Sequence, residues 1–219
     1  VDALQPLRLA VEEVLRKAAE KISKRLPGLE IEASSEIPIG AGLGSSASLA
    51  SATIAAAAKV LGLTPSRETI IELCSIPERF IHGNPSGVDQ TTVVLGGIII
   101  FRRGEPPVSL SPAQPPSIIV GDTGIRRTTG ILVQKFGEIL RRKVGVEENL
   151  RLAENLTFEA VRALRTGNFE DLGHVMDRAH EILTQMGVST PVLDRLVEAA
   201  RTAGALGAKL TGAGGGGCM

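Results

Sequence analysis

Apolar side chains at Leu7, Val11, Val14, Leu15, Ala18 and Ile22 recur every three or four residues and predict a helix over about 5–25. The next segment, "GLEIEASSEI", alternates apolar and polar positions and predicts a strand over 28–36, ended by Pro38 and the glycines behind it. "SASLASATIAAAAKVL" (46–61) reads as an alanine-rich helix that needs close neighbours, with Gly62 as its C-cap. In "TPSRETIIELCS", Thr64 suits an N-cap and Pro65 the first helical position, while Pro77 is expected to interrupt the helix before Glu78. "HGNPSG" is a turn cluster, and "VDQTTVVLGGIIIFRRG" carries strand signals on both sides of Gly96–Gly97. Five prolines in 104–117 mark the best boundary or hinge. Beyond them, "IIVGDTG" reads as strand into loop, helices are expected at 129–144, 147–166, 168–186 and 190–203, and "AKLTGAGGGGCM" as strand and loop. Strands and helices without a regular βαβ rhythm predict an α+β fold in two lobes, 1–112 and 113–219.

Composition narrows the function classes. The 219 residues are 43% hydrophobic, enough for a substantial core. Twenty-four basic and 24 acidic side chains cancel, so no broad field favours nucleic acid or an anionic membrane. Trp and Tyr are absent, which removes stacking platforms for single strands. Cys74 and Cys218 are too few for a disulfide framework and read as small buried hydrophobes of a reducing cytoplasm. No apolar run reaches membrane-spanning length. The sequence opens without Met and stops in a glycine loop, so it is expected to be incomplete at both ends.

The most informative stretch is "GAGLGSSASL" (40–49), three glycines and two adjacent serines leading into a small-residue helix start. A helix N-terminus leaves its first N–H groups unpaired, and glycines let the backbone approach phosphate oxygens closely. Ser45 and Ser46 add hydroxyls for phosphate or magnesium. The loop lacks the Gly-Lys-Ser/Thr of a P-loop and the G-x-G-x-x-G spacing of a dinucleotide fingerprint. A flexible turn with a serine cap is the plainer alternative.

Three motifs in order then point to one family. "PIGAGLGSSASLA" (38–50) resembles the second signature of the GHMP kinases, the superfamily of galactokinase, homoserine kinase, mevalonate kinase and phosphomevalonate kinase. "KLTGAGGGGC" (209–218) resembles their third, and "HGNPSGVDQ" (82–90) is similar to the segment that sets the mevalonate kinase branch apart. The family's N-terminal signature has no counterpart here. The resemblance implies a two-lobed fold, with a ribosomal-S5-like N-terminal lobe and a ferredoxin-like C-terminal lobe. It implies transfer of a phosphoryl group from ATP, with Mg2+, to the C5 hydroxyl of mevalonate, in a protein with no nucleic-acid or membrane partner. It leaves a homodimer open.

By the same resemblance Pro38, Gly40, Ala41, Gly42, Leu43, Gly44, Ser45 and Ser46 cradle the ATP phosphates. Asp89 is the base or hydroxyl-orienting group. Glu78, eleven residues before it, holds magnesium with Ser46; one carboxylate and one hydroxyl suit an ion that keeps phosphate and water ligands. Ile81, Thr129 and Ala213 line the substrate pocket, with Thr128 as the alternative to Thr129. Gly212, Gly214 and Gly215 close the far side of the site. Arg126, Arg127 and Lys209 are the cations available to a substrate anion, a basic loop being the equal alternative for the arginines. His82 is read as structural. His174 and His180, six apart, lack the spacing of a metal pair. Other readings are a phosphomevalonate or sugar kinase, a lyase like the diphosphomevalonate decarboxylases, and a non-catalytic nucleotide-binding sensor.

Overall fold

The computed structural model describes residues 5–19, 28–83, 85–126, 137 and 146–219. The chain forms two compact units, Val1–Pro38 with Gly44–Ser109, and Ile39–Leu43 with Leu110–Met219.

In the first unit α1 (Gln5–Ala19), α2 (Ser45–Val60) and α3 (Arg67–His82) pack against one another, and α4 (Val88–Leu95) packs on both α2 and α3. Val11, Val14, Ala50, Ile54, Ala57, Leu73 and Cys74 form the core. The alanines keep α2 thin, so its neighbours approach closely and cover both of its flanks. The expected continuation of α1 to residue 25 lies outside the described residues.

Three expectations for the helices of this unit are corrected. Helix α3 is capped by Ser66, whose hydroxyl accepts from the Thr69 N–H at 3.3 Å, and Thr64 and Pro65 lie ahead of the cap. The helix begins at Arg67, so Ser66 and not Thr64 stands next to its first free N–H groups. Pro77 does not interrupt α3. It forfeits one backbone hydrogen bond, but its ring is fully buried, and packing offsets the loss. "VDQTTVVL" is a helix rather than a strand. Gly87, at φ 93°, caps it, and the hydroxyls of Thr91 and Thr92 donate back to the Gly87 and Val88 carbonyls, both at 2.7 Å. Helix α4 packs on two others, so tertiary contact outweighs the strand preference of its β-branched residues.

The strand expected after the glycine pair is present. It is β1 (Ile98–Ile100), paired with β2 (Val108–Leu110) inside the proline-rich stretch. Residues 28–36 form no strand; they are mostly exposed, and no described segment pairs with them. Alternation specifies a strand only when a neighbour accepts its backbone hydrogen bonds.

The second unit holds α5 (Val146–Thr166), α6 (Phe169–Gln185) and α7 (Pro191–Thr202). Helices α5 and α6 pack through Leu156, Val175, Ile182 and Met186. Asn168 caps α6 and Thr190 caps α7, where Pro191 takes the first helical position. All three match the expected helices within two residues; the helix expected at 129–144 lies outside the described residues except at position 137. The strand-and-loop segments expected in "IIVGDTG" and "AKLTGAGGGGCM" reduce to an antiparallel bridge between Asp122 and Cys218, flanked by Gly121–Met219 hydrogen bonds of 3.0 and 2.9 Å. Gly214 to Gly217 all have positive φ, which breaks a strand ladder. Among the described residues no helix is long and apolar enough to cross a membrane.

Candidate active site

The glycine loop ahead of α2 adopts the backbone its sequence permits. Gly40, Gly42 and Gly44 have φ of 73°, 80° and 73°, a region costly for any residue with a side chain. Ala41 between them is fully buried and anchors the loop, while Pro38 is exposed and Leu43 half-buried. Gly44 is the N-cap and has no side chain to satisfy the first N–H groups of α2. Those donors and the positive end of the helix dipole suit an anion.

The first turn of α2 also presents Ser45 and Ser46, both half-buried. The Ser46 hydroxyl donates to Glu78 Oε1 at 2.7 Å, joining α2 to α3 across 32 residues of sequence. Glu78 is 2% exposed, an uncommon position for a carboxylate. Cys74 sits one turn earlier on α3; burial, and then the Glu78 charge, push its thiol up to about 11. Asp89 lies in the first turn of α4, on the same three-helix frame, with its side chain exposed. Among the described residues its carboxylate has no hydrogen-bond or ion-pair partner. Ile81 lies in the last turn of α3, and its side chain and that of His82 are outside the description. Arg127, Thr128 and Thr129 lie outside the described residues.

In the second unit the terminal glycine loop is ordered by its own backbone. Gly215 N–H donates to the Val188 carbonyl at 2.7 Å and Gly217 N–H to the Ile125 carbonyl at 3.0 Å, so these two donors are already engaged. A Cβ at Gly214 would meet Val188 O at 2.0 Å, which only glycine avoids. Gly212 is exposed and Ala213 half-buried. Two of the expected cations are occupied. Arg126 Nη1 donates to both Asp122 oxygens at 2.9 Å; the Gly124 N–H first, and then Arg126, hold that carboxyl below its ordinary pKa. Lys209 Nζ donates to the Leu210 carbonyl at 2.6 Å, and burial lowers its pKa.

One network was not read from the sequence. His180, 5% exposed, accepts the Leu210 N–H on Nδ1 at 3.3 Å and therefore donates from Nε2 to Asp194 Oδ1 at 3.2 Å. Ser189 donates to the same Asp194 oxygen at 2.5 Å. Asp177 receives Arg201 Nε at 2.7 Å and the Ala208 N–H at 2.9 Å. Together these fix the segment that leads into the glycine loop to α6 and α7. The signal available in the sequence was "GVSTPVLD", a serine, a cap and an acid ahead of a helix.

Comparison with known proteins gives the context. The N-terminal domain model of the GHMP kinases matches residues 9–97, and the C-terminal model matches 160–219. The mevalonate kinase of Pyrococcus furiosus is 39% identical over 95% of this chain and 64% of its own length. That of Thermococcus gammatolerans is 39% identical over the whole chain and 65% of its own length. The chain thus spans a little under two thirds of these relatives. Among solved structures, L. major mevalonate kinase in complex with R-mevalonate has a TM-score of 0.75 at 25% identity, over all of this chain and 69% of that one. Methanococcus jannaschii mevalonate kinase has 0.75 at 26%, over 99% and 67%.

Proposed function

Given that the chain belongs to the GHMP kinase family, with its α+β fold, we propose that the intact protein is a mevalonate kinase, transferring the γ-phosphoryl group of ATP to the C5 hydroxyl of mevalonate. The observation that carries this reading is the Ser46–Glu78 pair, one hydroxyl and one buried carboxylate 2.7 Å apart beside a glycine-capped helix start. Archaeal mevalonate kinases 36–39% identical over the chain support the choice of substrate.

Each residue has a role derived from its chemistry. Gly40, Gly42 and Gly44 leave room for phosphate oxygens at the start of α2, and the N–H groups of Ser45 and Ser46 donate to them. Two hard oxygen ligands fit Mg2+, so Ser46 and Glu78 would hold it. When bound, that ion neutralises charge on the phosphates. Asp89 orients the C5 hydroxyl and accepts its proton as the oxygen–phosphorus bond forms and the bond to the ADP oxygen breaks. Ile81, Thr129 and Ala213 are assigned to the mevalonate pocket, and Gly212, Gly214 and Gly215 to its closing loop. The division at 112/113 into an ATP-phosphate domain and a C-terminal domain, and a cytoplasmic setting, belong to the same proposal.

The test is ADP release by the intact protein with Mg-ATP and, separately, mevalonate, phosphomevalonate, homoserine and galactose. Turnover with mevalonate alone is expected. Turnover only with another of these substrates would keep the family and overturn the substrate.

A further inference from the structure

Two anchors hold the incoming limb of the terminal glycine loop, and one carboxylate oxygen joins them. The first anchor is His180 on α6, whose Nδ1 accepts the Leu210 N–H at 3.3 Å. The second is the turn between α6 and α7, where the Val188 carbonyl accepts the Gly215 N–H at 2.7 Å and stands so close to Gly214 that no side chain fits there. Asp194 Oδ1 receives both the Ser189 hydroxyl of that turn and Nε2 of His180. Residues 211–214 span the gap between the anchors, and the Thr211 N–H closes the base of the loop on the Cys218 carbonyl at 3.0 Å. The outgoing limb is tied elsewhere. Gly217 N–H donates to the Ile125 carbonyl at 3.0 Å, and Thr123 N–H to the Gly217 carbonyl at 2.9 Å.

We propose that His180 and Asp194 are positioning residues of the glycine loop, and that its incoming limb is anchored only while the imidazole is neutral. A neutral imidazole accepts on one nitrogen, and an imidazolium on neither. Protonation would set an Nδ1–H against the Leu210 N–H, donor facing donor, and the first anchor would be lost. Because Asp194 serves both anchors through the same oxygen, a change at His180 also reaches the turn that holds Gly215.

The charged groups around the imidazole set the direction of the effect. Asp194 and Arg201 on α7 and Lys209 on the incoming limb act on it. Asp177, one turn earlier on α6, is engaged by Arg201 Nε and the Ala208 N–H. Burial is the largest influence and lowers the His180 pKa; Asp194 opposes it, and Arg201 and Lys209 add to it. The released limb therefore binds the proton more readily than the anchored one. Anchoring is complete above about pH 6.5 and is lost as pH falls through the pKa of the anchored form. The consequence for catalysis rests on the kinase reading, in which this loop closes the site; the anchoring itself does not.

The test is hydrogen exchange of the intact, ligand-free protein, read by mass spectrometry and corrected for the intrinsic effect of pH. Amides of 210–215 should exchange about tenfold faster or more at about pH 5 than at about pH 7.5, and faster by a similar factor in His180→Leu at the higher pH. His180→Gln, which can keep both hydrogen bonds, should hold the protection of the wild type at both pH values. The amides of Gly121 and Thr123, bonded to the outgoing limb, should change little, which separates release of one limb from general unfolding. The rate of mevalonate phosphorylation should fall about tenfold or more in His180→Leu and return in His180→Gln. Equal protection of 210–215 in wild type and His180→Leu, an acid loss that persists in His180→Gln, or an undiminished rate in His180→Leu would each overturn the proposal. A wild type that leaves mevalonate unphosphorylated would refute the kinase reading instead, and the exchange data would still decide the anchoring.

Discussion

Replacing Gly173 by alanine sets two physical effects against each other. Gly173 lies inside α6, where alanine is intrinsically favoured by about 1 kcal/mol. A Cβ there would stand 2.1 Å from Leu206 O and 2.4 Å from the Leu206 carbonyl carbon, with backbone rather than a flexible side chain in the way. Gly207 is its counterpart, since a Cβ on it would meet Gly173 O at 2.0 Å. To restore ordinary contact the 206–207 backbone must retreat by about 1 Å, a shift that core packing resists. That movement pulls on the Ala208 N–H to Asp177 bond and on the Leu210 N–H to His180 bond, 2.9 and 3.3 Å long. Overpacking against backbone costs about 3 kcal/mol at the upper end of its usual range. Net of propensity, Gly173→Ala should lose about 2 kcal/mol, a fall of roughly 4–8 °C in Tm for a chain of this size. Urea denaturation should show a lower midpoint with an unchanged slope. The pair Gly173→Ala/Gly207→Ala should cost less than the two singles added, because one retreat relieves both clashes. A Gly173→Ala variant as stable as wild type, or more so, would refute the account of how the segment before the glycine loop is held.

Three further outcomes follow from single sites. Ser46→Ala removes a hydrogen-bond donor from a buried carboxylate, so the metal-free protein should lose about 1–3 kcal/mol in chemical denaturation, and the Mg2+ requirement of the reaction should rise about tenfold or more. His180 has a lowered pKa, chiefly from burial, with Asp194 pulling the other way and Arg201 and Lys209 adding to the depression. The unfolded chain therefore binds the proton first on acidification. Stability should be complete above about 6.5 and decline as pH falls through the folded pKa, whereas His180→Gln, which can keep both hydrogen bonds, should flatten that part of the profile; an unchanged profile would contradict the assignment. With its thiol pushed to about 11, Cys74 should be about a thousandth thiolate at pH 8 and resist iodoacetamide in the native state, reacting only after unfolding.

Local chemistry was legible in the sequence wherever it was self-sufficient. The glycines at 40, 42 and 44 could be placed ahead of a helix because only glycine populates their backbone region readily. The helices of the second unit could be placed from their caps and spacing, as at Thr190–Pro191. Features set by distant partners were hidden. Helix α4 was misread because Thr91, Thr92, Val93 and Val94 carry a strand preference that packing on α2 and α3 overrides. Thr64 was expected as the cap because Pro65 suits a first helical position, and only the path of the chain gives that role to Ser66. The strands expected at 28–36 and at the start of "AKLTGAGGGGCM" had the right alternation and lack a described ladder partner. Ser46 and Glu78 came together on paper only through family spacing, since nothing local links residues 32 apart. The His180 network was invisible because the Leu210 N–H it accepts lies 30 residues away.

The most direct test of the central claim is the rate of phosphoryl transfer from Mg-ATP to mevalonate by the intact protein, beside Asp89→Asn. Asp89 is exposed and without a described partner, so the variant should keep its fold and its nucleotide affinity. The account predicts phosphorylation of mevalonate at its C5 oxygen by the wild type and a loss of about a hundredfold or more in kcat in the variant. A wild type that binds nucleotide yet leaves mevalonate unphosphorylated, or a variant with undiminished kcat, would contradict it.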